Sequence, residues 1–191
     1  MLFVYMPHSF PFTEESLEQT VIQCIDKVFE VMLYQTTHLK RICSNAEIHA
    51  EPKILLNTQH QDVLLAGSVG FTGSILVLIH IYLTEKLSRK LTRQMLNMSQ
   101  EEVLSQELEI IHDTLREISN MVIGNIKSTL LKTNVGTSRI TVPTVAHSPK
   151  VQTSVHSTPH TLKKRFIFEA EQTPFIVDFL IKPNQNQANK L

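Results

Sequence analysis

The sequence predicts an α+β domain, an antiparallel sheet covered by three helices. Three observations point there. Residues 110–126 carry apolar side chains at helical spacing on one face and polar ones on the other. The apolar runs 63–71 and 75–83 flank Thr72-Gly73-Ser74, a hairpin signal. Two further strand-like runs, 165–170 and 175–181, are joined around Gln172-Thr173-Pro174. Strands gathered into hairpins, with helices set between them and mostly short connections, make layered α+β packing.

Composition agrees with one globular domain. The chain has 191 residues, 42% of them hydrophobic and 19% charged, enough for a sizeable core. Its 18 basic and 18 acidic residues leave no net charge, against a general nucleic-acid binder, which needs a basic surface. Cys24 and Cys43 fit no metal spacing and are too few for a disulfide framework. No apolar run reaches the ~20 residues of a membrane span, and the apolar start, Met1 to Pro7, lacks a basic leader region. A cytoplasmic location suits these features.

In chain order, residues 1–12 form an extension whose role the residues do not reveal. The first helix begins at Thr13, an N-cap, with Glu14 and Glu15 in its first turn. Leu17, Val21, Cys24, Ile25, Val28 and Met32 then recur at helical spacing, so Cys24 reads as a buried thiol. Residues 39–51 are mixed, with a short strand expected around Ile48; Ile54-Leu55-Leu56 is another. The glycines Gly67, Gly70 and Gly73 could suggest a phosphate loop. No helix follows directly and no Lys-Ser/Thr is present, so they read as bulges or close approaches in strands. His80, within an apolar strand, reads as a satisfied sheet histidine.

The second helix, 84–97, starts at Thr84, and Ser99-x2-Glu102 is a capping-box pattern. A long helix follows over about 100–132, with room for a bend before its second half. Residues 138–145 read as a strand interrupted by Pro143, hence an edge or a bulge. Residues 146–163 form a Ser/Thr/Pro/His-rich mobile loop. His147, His156 and His160 there could suggest a metal site, but Pro159 disfavours the helix that His156 and His160 would need. The domain closes near residue 182, and 183–191 reads as a disordered tail.

The polar face of the long helix is the unusual element. Asp113, Glu117, Asn120 and Gly124 are spaced i, i+4, i+7, i+11, within roughly 60° of one another. Ile111, Leu115, Ile118, Val122 and Ile126 occupy the other side. Asn120 is a poor mid-helix residue, and Gly124 costs about 1 kcal/mol against Ala. A carboxylate and a carboxamide one turn apart can orient a water, and a glycine beside them lets another surface come close. On chemistry alone, such residues are more commonly plain solvated surface.

Asp113-x3-Glu117-x2-Asn120 resembles the [Asp/Ser]-x3-Glu-x2-Asn signature of the CheC/CheX/FliY chemotaxis phosphatases. Pro143 stands where that signature places a proline, and Gly124-Asn125 is also similar. The resemblance covers about residues 15–182. Asp26-x3-Glu30-x2-Leu33 repeats the frame in the first helix with leucine in place of the asparagine. That looks CheX-like, with one site per chain; chance spacing in an amphipathic helix is the other reading.

The resemblance implies a phosphatase for the aspartyl phosphate of a CheY-like response regulator, in chemotaxis or related two-component signalling. Asn120 would orient the attacking water, Glu117 would pair with the receiver's lysine, and Asp113 and Gly124 would contact the partner. Pro143 would shape the strand beside the helix. No cofactor need be bound by this chain, because the receiver supplies Mg2+. A homodimer through sheet edges is implied as well, with neither nucleic acid nor membrane as partner. The competing class is a non-catalytic receiver-binding or scaffold module on the same fold.

Overall fold

Three short polar side chains start three helices. Thr13 accepts a hydrogen bond from the Ser16 amide at 3.1 Å, Thr84 from the Leu87 amide at 3.2 Å, and Ser99 from the Glu102 amide at 3.1 Å. Each satisfies an amide that the first helical turn leaves without a partner. At Ser99 the box is reciprocal, since Glu102 accepts from the Ser99 amide at 2.7 Å. The computed structural model describes residues 12–50, 64–73, 75–131, 138–148 and 161–183. The expected strand at Ile54 to Leu56, the chain ends and residues 149–160 lie outside them.

The described elements are α1 (Glu14–Leu33), β1 (Thr37–Cys43), α2 (Asn45–Ala50), β2 (Leu64–Thr72), β3 (Ile75–Thr84), α3 (Glu85–Met95), α4 (Gln100–Ser105), α5 (Leu108–Leu131), β4 (Arg139–Ile140), β5 (Thr144–Ser148), β6 (Leu162–Ala170) and β7 (Thr173–Pro183). The fold is α+β. One seven-stranded sheet has the order β1-β6-β7-β3-β2-β4, with β5 also on β2, and the pairings are antiparallel.

Helices α1, α3 and α5 share one core with the sheet, which includes Val21, Ile25, Phe29, Leu91, Leu115, Val122, Ile79, Phe168 and Phe175. Phe175 stacks on Phe29 with ring centroids 4.8 Å apart and on Phe168 at 5.3 Å, tying α1 to the β6–β7 hairpin. On the opposite sheet face, Arg165 of β6 meets its register partner Asp178 of β7 through two charge-assisted bonds of 2.6 and 2.7 Å.

The region around Ile48 is a helix, not the expected strand. Ser44 and Glu47 form an N-terminal turn: the Glu47 carboxylate accepts from the Ser44 amide at 2.7 Å and from its hydroxyl at 2.8 Å. These bonds, with Arg41 alongside, push Glu47 down to about 2. Ile48 is buried with Cys43 and Ile167. The strand of this region lies earlier, at β1, a mostly exposed edge with an irregularity between Leu39 and Arg41 that erases its alternation.

The long helix is two helices. α4 ends at Gln106, whose ψ of 143° is extended. Arg89 of α3 donates to the Val103 carbonyl at 3.0 Å, which also accepts the Gln106 amide, and to the Gln106 carbonyl at 3.3 Å. With α2 and α4, five helices replace the expected three among the described residues. At the loop expected over 146–163, residues 146–148 belong to β5 and 162–163 to β6.

The glycines of β2 are packing devices, as the sequence suggested. A Cβ at Gly70 would stand 2.3 Å from the Val77 carbonyl oxygen, and one at Gly67 would stand 2.6 Å from Ser119 Oγ. His80 is a sheet histidine but only half satisfied: its Nδ1 lies 2.7 Å from Ser68 Oγ, while its Nε2 is buried with no hydrogen-bond partner among the described residues; burial pushes it below the usual imidazole range. Cys24 is buried and free, and burial pushes its thiol up. Met32, expected on the inner side of the first helix, is instead 41% exposed.

Candidate active site

The seat of α5 is set by its apolar stripe. Ile111, Leu115, Ile118, Val122 and Ile126 are each no more than 1% exposed. Ser119, fully buried, returns its hydroxyl to the Leu115 carbonyl at 2.8 Å. Against this turn lies Gly67 of β2, whose missing side chain lets the helix sit close to the strand. Lys127 donates to the Ser138 carbonyl at 3.0 Å, holding the far end of α5 to the chain leading into β4. The helix and strand that carry the candidate residues are thus fixed along their length.

Seating one side of α5 turns the other outward. Asp113 and Glu117 are exposed, while Asn120 and Gly124 are half-buried. Neither Glu117 nor Asn120 makes a hydrogen bond or ion pair within the described residues, so both polar ends stand available. Asp113 differs, because Arg116 binds it and also binds Glu109 at 2.9 Å; Glu109 and then Asp113 hold the guanidinium protonated still more firmly than usual. A Cβ built at Gly124 meets nothing within 4 Å, so no contact among the described residues requires the glycine. The neighbouring Asn125 donates to the Met121 carbonyl at 2.9 Å and stays with its own helix.

Pro143 falls in the gap between β4 and β5, where an edge can lose a ladder bond. The break is clamped: the Thr141 amide donates to the Gly70 carbonyl at 2.8 Å, and the Gly70 amide donates to Thr141 Oγ1 at 2.9 Å. Val142, just before the proline, is 84% exposed.

The repeat of the frame in α1 is not a second copy of this face. Leu33 is fully buried in the core, and Asp26 accepts the hydroxyl of Thr37 from β1. Those residues tie α1 to the sheet edge. Arg116 and Thr141 did not stand out in the sequence, and Gly67 stood out as a close approach without its partner helix. Arg116 had a visible signal, three residues after Asp113 and seven after Glu109, reachable on one helix face.

A carboxylate and a carboxamide on a rigid helix, without an activated nucleophile beside them, suit the positioning of a water or of a partner's charged group. Among the described residues no group of three or more His, Cys, Asp or Glu could hold a metal ion, and no helix is long and apolar enough to cross a membrane.

This architecture is that of the CheC-like chemotaxis proteins. The chain is similar to the chemotaxis protein CheX from Desulfovibrio desulfuricans, with 15% identity over 87% of this chain and 99% of that one and a TM-score of 0.65. A CheC-like superfamily protein from Shewanella sp. PV-4 gives 18% identity over 89% and 99% with a TM-score of 0.65. The CheX of a CheX–CheY–BeF3–Mg2+ complex from Borrelia burgdorferi gives 17% over 87% and 97% with a TM-score of 0.58. Residues 65–166 match the family model described as chemotaxis phosphatase CheX, and the chain belongs to that family. No curated protein sequence matches the chain.

Proposed function

We propose that this protein accelerates hydrolysis of the aspartyl phosphate on a CheY-type response regulator. The observation that carries the reading is the outward face of α5, where the Glu117 and Asn120 side chains have no partner among the described residues and a Cβ at Gly124 would meet nothing within 4 Å. The family is one of chemotaxis phosphatases, and one structural neighbour is the CheX of a CheX–CheY–BeF3–Mg2+ complex. An acyl phosphate is already activated, so holding a water in line with phosphorus contributes most of the catalysis.

In this mechanism the Asn120 carboxamide holds the water by its oxygen or nitrogen, and Glu117 pairs with the receiver's lysine to fix the docked register. Asp113 is a secondary contact, Gly124 gives room for close approach, and Pro143 shapes the adjoining edge. The receiver brings the Mg2+, which offsets charge on the transferring phosphoryl group; this chain's residues position and dock. The same reading makes the domain residues 13–182 and the molecule a cytoplasmic homodimer joined through sheet edges.

Asn120→Ala separates the roles. It should lower the accelerated decay at saturating receiver by about a hundredfold, the scale of losing one positioning group, while affinity and thermal stability hold. Glu117→Ala should act chiefly on affinity. Unchanged acceleration by Asn120→Ala would refute the assignment of the water to the amide. Receiver binding without any acceleration by the wild type would make the chain a binding module.

A further inference from the structure

We infer that Arg116 is a positioning residue that sets the charge of the docking face on α5; the inference rests on the receiver-phosphatase reading. Glu109, Asp113 and Glu117 recur every four residues on one side of the helix, and the side chains of the first two are 65% and 66% exposed. A face with three free carboxylates would repel a phosphorylated aspartate as it approached. Arg116 is the single Lys or Arg in the stretch 100–126, and its guanidinium binds both Glu109, at 2.9 Å, and Asp113.

Ion pairs this exposed contribute little to folding. Their consequence lies in what the face presents. With Glu109 and Asp113 neutralised in part by one cation, Glu117 is left as the stripe's carboxylate without a partner among the described residues. One free carboxylate suits one basic group on the receiver, and it sits one turn from Asn120. The arrangement separates two demands on the same helix: attraction for a cation, and tolerance of a nearby phosphoryl dianion.

The test compares wild type, Arg116→Ala, Glu109→Gln and the double variant. Each is measured for affinity toward a CheY-type receiver domain loaded with beryllofluoride and Mg2+, at low and high salt, and for kcat and KM of phosphoryl hydrolysis. Arg116→Ala should weaken binding roughly 3- to 10-fold at low salt, with the loss in KM rather than kcat. Salt should shrink the loss, because screening shortens the reach of the exposed charges. Adding Glu109→Gln should restore most of the affinity, since it returns the face to its original net charge.

A loss that ignores salt and is not rescued by Glu109→Gln would overturn the inference and make Arg116 a mechanical brace for Asp113. Equal affinities across the four proteins would overturn it too, while leaving the phosphatase reading intact. Absence of receiver binding by the wild type would sink that reading, and the inference with it.

Discussion

A methyl group added at Gly67 would stand 2.6 Å from Ser119 Oγ and 3.0 Å from Leu115 Cγ, whereas one added at Gly124 meets nothing within 4 Å. The two glycines therefore answer to different surfaces. Gly67→Ala forces α5 away from β2 and should cost about 1–3 kcal/mol, the usual range for overpacking a close contact. Gly124→Ala removes a poor helix former from an open position and should stabilise the chain by up to about 1 kcal/mol. Denaturant unfolding of both variants reads the opposite signs, and a loss of stability for Gly124→Ala would show a contact inside the chain. If the outward face meets a partner, Gly124→Ala should also weaken receiver binding. The spacing of Asp113, Glu117, Asn120 and Gly124 was legible in the sequence because helical periodicity alone decides which residues share a face. The engagement of Asp113 by Arg116, and the contact that demands Gly67, were not: each depends on which rotamer or which strand lies opposite.

The contact between α5 and β5 carries an acid-sensitive group, His112. His112 of α5 and His147 of β5 meet edge to face with ring centroids 5.2 Å apart, and His112 Nε2 is buried without a hydrogen-bond partner among the described residues. Burial, then His147, pushes His112 below the usual imidazole range; Arg116 adds to this, while Glu109 and Asp113 oppose it. An unfolded or opened chain takes up this proton first, from about pH 6.5 downward, so the contribution is intact above that pH and is lost as pH falls toward the depressed folded value. Amide exchange in β5, measured against pH, should show protection falling below about pH 6.5, and His112→Gln should flatten that dependence. His80 shifts in the same direction but is present in both proteins, so the difference reports on His112. An unaltered profile in His112→Gln would refute the account.

Other elements show where local signals suffice. Thr13, Thr84 and Ser99 marked helix starts because capping is a short-range bond between named groups. The Ser44–Glu47 turn had the same ingredients, yet the apolar Ile48 nearby suggested a strand, and the local bonds prevailed. β1 was obscured because an exposed edge with an irregularity has no burial alternation to read. The break between α4 and α5 depends on Arg89 reaching over from α3, and no periodicity reports such a long-range partner.

For the whole molecule, the α+β class and the β2–β3 and β6–β7 hairpins followed from alternating apolar runs and turn residues, while the strand order required the structure. That order places α5 over β2 and beside the broken edge of β4 and β5, with its polar stripe turned away from the core. One folded layer thus presents a single outward face on α5, and the equivalent frame on α1 is spent on the core and on Thr37. The central claim is that this face catalyses the loss of phosphate from a receiver. Its most direct measurement is the half-life of a phosphorylated CheY-type receiver domain with wild-type protein, with Asn120→Ala and with no addition, binding being followed in parallel. The account predicts faster decay with the wild type alone, while Asn120→Ala still binds. Equal half-lives in all three, with binding retained, would contradict it.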